Sequence, residues 1–157
     1  MKTGRLEARD IMTRTVRTAR PTDPIRKVID TICRHKVSGV PVVDGKGQLA
    51  GLVSERDILY AIHRGTAQSS GKPSGRKETK GLRTIDELLA RDVMVVKVIT
   101  GTPDTDALRL ASVMALRKIR RIPIVEGRTL VGIVSHGDVY RAIFGVKGGS
   151  RCSRRRL

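Results

Sequence analysis

Apolar positions recur along the chain at two spacings, and the spacings alternate. Ile25, Val28, Ile29, Ile32 and Cys33 follow the three-and-four rhythm of one helix face, with Asp23 suited to cap that helix and Pro24 to open it. Val40-Pro41-Val42-Val43 is short and β-branched and reads as a buried strand, in which a proline favours an edge or a strand start. Beyond the turn Asp44-Gly45-Lys46-Gly47, Leu49 to Val53 reads as a second strand, and Ile58, Leu59, Ala61 and Ile62 as a second amphipathic helix. The succession then returns. Ala107, Leu110, Ala111, Met114 and Ala115 repeat the first stripe, Ile122-Pro123-Ile124-Val125 and Leu130 to Val134 repeat the strands around Glu126-Gly127-Arg128, and Val139, Tyr140, Ala142 and Ile143 repeat the closing helix.

One offset carries Ala8-Arg9-Asp10-Ile11-Met12 onto Ala90-Arg91-Asp92-Val93-Met94, Val16 onto Val98 and Pro21 onto Pro103; it shortens by one residue at the second turn. Each unit therefore reads as short strand, helix, strand, turn, strand, helix, a β-α-β-β-α repeat of mixed α/β (α+β) class. Units of this size hold a marginal core alone, so two copies are expected to pack sheet to sheet with pseudo-two-fold symmetry. The boundaries that follow are 8–64 for the first repeat, 65–81 for a flexible basic linker, 82–146 for the second repeat, and 147–157 for a basic disordered tail. Leu82 to Ala90, with Ile85, Leu88 and Leu89, reads as a short lead-in helix.

Composition narrows the class. No apolar run approaches the roughly 20 residues of a membrane-spanning helix, and Met1-Lys2-Thr3-Gly4-Arg5 is not followed by a signal-peptide core, so a soluble, cytoplasmic protein with no membrane partner is expected. Cys33, in the helical pattern, reads as packing, and Cys152 lies in the basic tail; the pair forms neither a metal-ligand spacing nor a disulfide framework. The net charge is +17, concentrated in residues 64–83 and 147–157. Solvated linkers explain such segments; binding of a polyanion is the sharper alternative. Tyr60, Tyr140 and Phe144 are the only Phe, Tyr or Trp rings, too few for a single-strand stacking platform.

The chemistry sits in a phrase spoken twice, Gly51-Leu52-Val53-Ser54-Glu55-Arg56-Asp57 and Gly132-Ile133-Val134-Ser135-His136-Gly137-Asp138. Each copy closes a strand and opens a helix, where free N–H groups and the helix dipole favour an anion. Ser-x-x-Asp at that place admits two roles, a reciprocal helix cap or a set of ligand hydrogen bonds. Arg56 stands at such a helix start as a candidate phosphate contact, or as a solvent-facing charge; His136 reads as a polar surface residue. Without a Ser-His-Asp order, a metal-ligand cluster or a Walker loop, no catalytic or metal role is assigned.

Arg9-Asp10-Ile11-Met12-Thr13, the stretch Val37 to Asp44 and the doubled Gly-x-Val-Ser-x-x-Asp together resemble the tandem CBS domains of a Bateman module, over nearly the whole chain. The resemblance implies a non-enzymatic sensor. Such modules commonly bind AMP, ADP or ATP, less often NAD or S-adenosylmethionine derivatives, in two clefts, and need no further cofactor. Carried over by position, Asp57 and Asp138 would hold ribose hydroxyls, with Ser54 and Ser135 reaching ribose or phosphate. Val37, Ser38, Gly39 and Pro41 would face Ser135 and Asp138 in one cleft, and Ile119, Arg120, Arg121 and Pro123 would face Ser54, Arg56 and Asp57 in the other. Gly39, without a Cβ, would let backbone approach the base, or it is merely a turn glycine. Arg120 and Arg121 replace Ser38 and Gly39, so the second wall is less open and suited to phosphate. The resemblance also implies a homodimer, to which Leu108, Val113 and Leu116 lend surplus apolar positions, and an effector protein still to be found. The alternative function is a basic nucleic-acid-associated protein acting through the linker and tail.

Overall fold

Helix α2 (Ile25–His35) turns Ile25, Val28 and Ile32 inward, as the periodicity requires. Cys33 lies at the margin of that stripe and is exposed, so it is not a packing residue. Pro24 is the N-cap and Asp23 does not cap: its carboxylate accepts from the Arg20 N–H at 2.8 Å and the Lys27 ammonium at 2.9 Å. Burial pushes the Asp23 pKa up, but the Arg20 N–H and the Lys27 charge outweigh it and hold the carboxyl below its ordinary value. Lys36 then closes the helix in the left-handed region, φ 50°, which lets the Val37 N–H reach back to the Ile32 carbonyl at 3.1 Å.

In this computed structural model residues 6–69 and 85–145 are described. Strand β1 (Gly39–Val43) pairs antiparallel with β2 (Leu49–Ser54), Val40 opposite Val53 and Pro41 opposite Leu52. A two-stranded sheet has only edges, which is why Pro41 is tolerated inside β1. Helix α3 (Glu55–Ser69) follows β2 without a break. Residues 65–69 thus continue a helix and are not the start of a linker; Ala67 and Gln68 are good helix formers and Gly65 costs only about 1 kcal/mol in a helix interior. The rest of the predicted linker falls on residues outside the described ones, as does the predicted tail, 147–157. The lead-in helix over 82–90 is instead a single 3-10 turn, Ile85–Glu87, followed by a bridge of Leu89 to Pro24; its first three residues are not described.

The second repeat builds the same parts: α5 (Ala107–Arg117), β3 (Arg121–Glu126) and β4 (Thr129–Ser135) in a second two-stranded sheet, and α6 (His136–Phe144). Asp106 caps α5, accepting from the Leu108 and Arg109 N–H groups, and Lys118 ends it at φ 53°. Ala107, Leu110 and Met114 are buried and Ala115 is exposed, again trimming the predicted stripe at its edge.

The expected opening strand of each repeat is a one-turn helix, α1 (Ala8–Ile11) and α4 (Ala90–Val93), ending in a single antiparallel bridge. Four residues with a polar Arg-Asp pair in the middle carry no strand alternation. The Asp folds back to cap the turn, accepting from the Glu7 N–H in one and the Leu89 N–H in the other, both at 2.9 Å.

These openings belong to the compact unit of the other repeat. The unit around the first repeat comprises Arg17–Val98 with Gly127–Leu130; the other comprises the chain up to Val16, Ile99–Glu126, and the chain from Val131. In the first, Ala90 N–H donates to Asp23 O and Val95 exchanges hydrogen bonds with Leu52. In the second, Ala8 N–H donates to Thr105 O and Thr13 exchanges hydrogen bonds with Ile133. The compact units are therefore a different division from the two repeats, since each takes in the lead-in of the other. Each has its own core: Ile25, Val28, Ile32, Val40, Val42 and Val53 with Ala90 in one, and Leu110, Met114, Ile122, Ile124 and Val134 with Ala8 in the other.

The opening glycine of each phrase now has a reason. A Cβ on Gly51 would stand 2.7 Å from Met94 Sδ and 2.9 Å from Val95 O, and one on Gly132 would collide with the Met12 side chain. The methionines of the lead-in segments lie against the bare glycines of the phrases.

Candidate helix-start sites at the two serine–aspartate phrases

In the first repeat, β2 ends at Ser54 and α3 begins at Glu55. The Ser54 N–H donates to Asp57 Oδ2 at 2.8 Å, the Ser54 hydroxyl donates to the same oxygen at 2.5 Å, and the Asp57 N–H approaches Ser54 Oγ at 3.4 Å. Ser135 and Asp138 repeat this at 2.7, 2.6 and 3.4 Å. Both phrases are therefore reciprocal helix caps, and the cap uses only Oδ2 of each carboxylate.

The other oxygen distinguishes them. Among the described residues Asp57 Oδ1 has no hydrogen-bond partner, and Asp57 is half-buried. Asp138 is 8% exposed, the one buried charged residue in the described part of the chain, and its Oδ1 accepts from Arg141 Nη2 in an ion pair. Tyr60, 57% exposed, holds the position in α3 that Arg141 holds in α6. Gly137 helps: Arg141 Nη1 lies 3.4 Å from where its Cβ would be, so the guanidinium rests on a bare first turn. Arg56 occupies that place in the first repeat and is exposed.

The wall residues fall beside the phrase of their own repeat. The Glu55 N–H donates to Ser38 O at 3.0 Å and Gly39 pairs with Ser54 in the ladder; a Cβ on Gly39 would meet Val53 O at 2.7 Å. Close approach of its own hairpin is thus one reason for that glycine, and it is a strand residue, not a turn residue. In the second repeat the His136 N–H donates to Arg120 O at 3.1 Å, and His136 Nε2 is 2.9 Å from Ile119 O, so His136 ties the wall loop to the helix start. Its ring lies 5.9 Å from that of Tyr140. Arg120 is exposed and Arg121 half-buried, while Pro41 and Pro123 are fully buried. Val37, Ser38, Gly39 and Pro41 share a unit with Ser54, Arg56 and Asp57; Ile119, Arg120, Arg121 and Pro123 share one with Ser135 and Asp138.

Arg141 and the two methionines, Met12 and Met94, are the contributors that periodicity did not single out. Among the described residues no group of three or more His, Cys, Asp or Glu is placed to hold a metal ion, and no helix is long and apolar enough to cross a membrane.

The CBS domain profile matches residues 8–64 and 90–145. CBS domain-containing protein YhcV of Bacillus subtilis is 34% identical over 131 residues, covering 83% of this chain and 81% of that protein. Among solved structures, the CBS domain pair of protein MJ0100 in complex with 5′-methylthioadenosine and S-adenosyl-L-methionine superposes with a TM-score of 0.71 at 25% identity, over 92% of this chain and 100% of that one. CBSX2 in complex with AMP gives a TM-score of 0.71 at 23% identity, covering 89% and 97%, a likeness of fold. Two matched segments in tandem, a relative above 30% identity over most of both chains, and the repeated α+β architecture agree, and the chain belongs to the CBS domain family as a tandem CBS pair.

Proposed function

We propose that the chain is a sensor that binds an adenosine-containing small molecule of the AMP, ADP or ATP class and performs no reaction of its own. The observation that carries this reading is the division of labour within each phrase aspartate: Oδ2 serves the helix cap, and at Asp57 Oδ1 is left without a described partner. A ribose diol offers two adjacent hydroxyl donors, and a carboxylate is the side chain that accepts both. Ser54, Arg56 and Asp57 are the ligand contacts at one phrase, Ser135 and Asp138 at the other. Val37, Ser38 and Gly39, and Ile119, Arg120 and Arg121, are the candidate base-contacting walls; Pro41 and Pro123 brace the strands that carry them. The complex of the MJ0100 pair with two adenosine derivatives supports the ligand class. Ligand binding would be signalled through a homodimer or an effector protein, and Leu108 and Leu116, 62% and 81% exposed on α5, are the dimer candidates.

Calorimetric titration of AMP, ADP, ATP and S-adenosylmethionine into the full chain tests this reading. Asp57→Ala and Asp138→Ala are each expected to lose one binding event, with a loss of about 1.5–3 kcal/mol at the affected phrase. Melting that falls while affinity stays at the wild-type value would reduce the phrase to a cap. The net charge of +17 favours the second reading, phosphate-backbone binding to nucleic acid. Titration with a short DNA duplex at several salt concentrations decides it: binding that collapses with salt, in the absence of nucleotide binding, selects the alternative.

A further inference from the structure

The Arg141–Asp138 ion pair has no counterpart among the described residues of the first repeat, and its placement has a cost. A guanidinium held against the first turn of α6 opposes the positive end of the helix dipole, and it stays there because a nearly buried carboxylate holds it. It also occupies the one oxygen of Asp138 that the cap leaves over. A ligand hydroxyl reaching that oxygen meets a competitor inside the chain. The Arg141 side chain is about half exposed, so it is not locked in place by packing.

Resting on the adenosine reading above, we propose that Arg141 is a specificity-determining residue that makes the Asp138 phrase selective for anionic ligands over uncharged nucleosides. An uncharged riboside takes Oδ1 only by displacing the guanidinium and leaving it without a counter-ion. A nucleotide displaces it equally but supplies a phosphate, which is where a freed guanidinium beside a helix start makes its best bonds. The Asp57 phrase has Tyr60 at that position and an open Oδ1, so it imposes no such penalty on an uncharged ligand. This ranks the Asp57 phrase as the more permissive site.

The experiment uses the full chain carrying Asp57→Ala, so that the second phrase reports alone, with adenosine and AMP as probes. Arg141→Gln is expected to tighten adenosine about fivefold, the size of a partly exposed ion pair removed, while AMP gains less or loosens, so that the preference for AMP over adenosine narrows. Arg141→Lys, which keeps a cation of less suitable shape, is expected to keep most of that preference, and it serves as the measurement if Arg141→Gln folds poorly. An unchanged ratio of AMP to adenosine affinity, or equal weakening of both, overturns the proposal and makes Arg141 structural. Failure of both ligands to bind the wild-type chain overturns the adenosine reading, and this proposal with it.

Discussion

The two helix starts share a cap and differ in everything around it. At Ser54 the phrase carries an exposed arginine on its first turn and leaves one aspartate oxygen without a described partner; at Ser135 the first turn is bare glycine, and an arginine one turn further on folds back to take that oxygen. Both repeats keep what the fold needs, a serine hydroxyl and an aspartate oxygen closing the helix end, and differ at the remaining oxygen. A difference of one positive charge moved along the helix changes what each carboxylate is prepared to accept.

The comparison is most severely tested where the lead-in segments meet the phrases. Gly132→Ala is expected to destabilise by about 1–3 kcal/mol through overpacking on Met12, and Met12→Ala is expected to recover part of that loss in a double-mutant cycle, whereas Met94→Ala is not. Chemical denaturation of the three single and two double variants measures it; coupling of Gly132 to Met94 would mean that the lead-ins pack on their own repeats. Smaller is the difference between the two aspartates. Asp138→Ala removes a nearly buried acceptor of three donors and Asp57→Ala a half-buried acceptor of two, so the first is expected to cost about 1 kcal/mol more stability, read from paired thermal melts without ligand. Equal melts would show that the Arg141 contact adds nothing to the fold.

The smallest effect is expected with acid. Asp23 and Thr105 hold the same turn in the two repeats, accepting from the Arg20 N–H and the Thr102 N–H, but only Asp23 titrates. Its folded pKa lies below the ordinary 3.8, so its contribution is complete above that value and is lost as pH falls through the lower one. Asp23→Asn should therefore flatten a small part of the loss of stability below about pH 4, in melts taken across that range. An unchanged acid profile would remove Asp23 from the account.

Periodicity made the helices, hairpins and repeats legible because each element is long enough to show several turns of its pattern: Ile25, Val28 and Ile32 announce α2, and Val40, Val42 and Val53 the hairpin. One-turn elements have no period to read, so α1 and α4 leave no helical stripe in the sequence. Ser-x-x-Asp announced a cap and a ligand site with equal force, since both use the same carboxylate; only the separate partners of Oδ1 and Oδ2 divide the roles. Arg141 left a faint signal, an Asp-x-x-Arg spacing beside a glycine, whose meaning required the first repeat's Tyr60 for contrast.

The exchange of lead-in segments bears on how the chain comes into being on the ribosome. Residues 8–13 emerge early, yet their partners Pro103, Thr105 and Ile133 follow some ninety or more residues later, while the first repeat waits for Ala90 and Val95 to finish its own core. Neither half completes itself as it is made, so folding is expected to be late, largely post-translational, and slow for a chain with such short elements. A gene fragment ending at residue 64 would yield a hairpin and two helices with Gly51 uncovered. Mixing that fragment with the remaining polypeptide, rather than refolding either alone, is the way to recover a native pair.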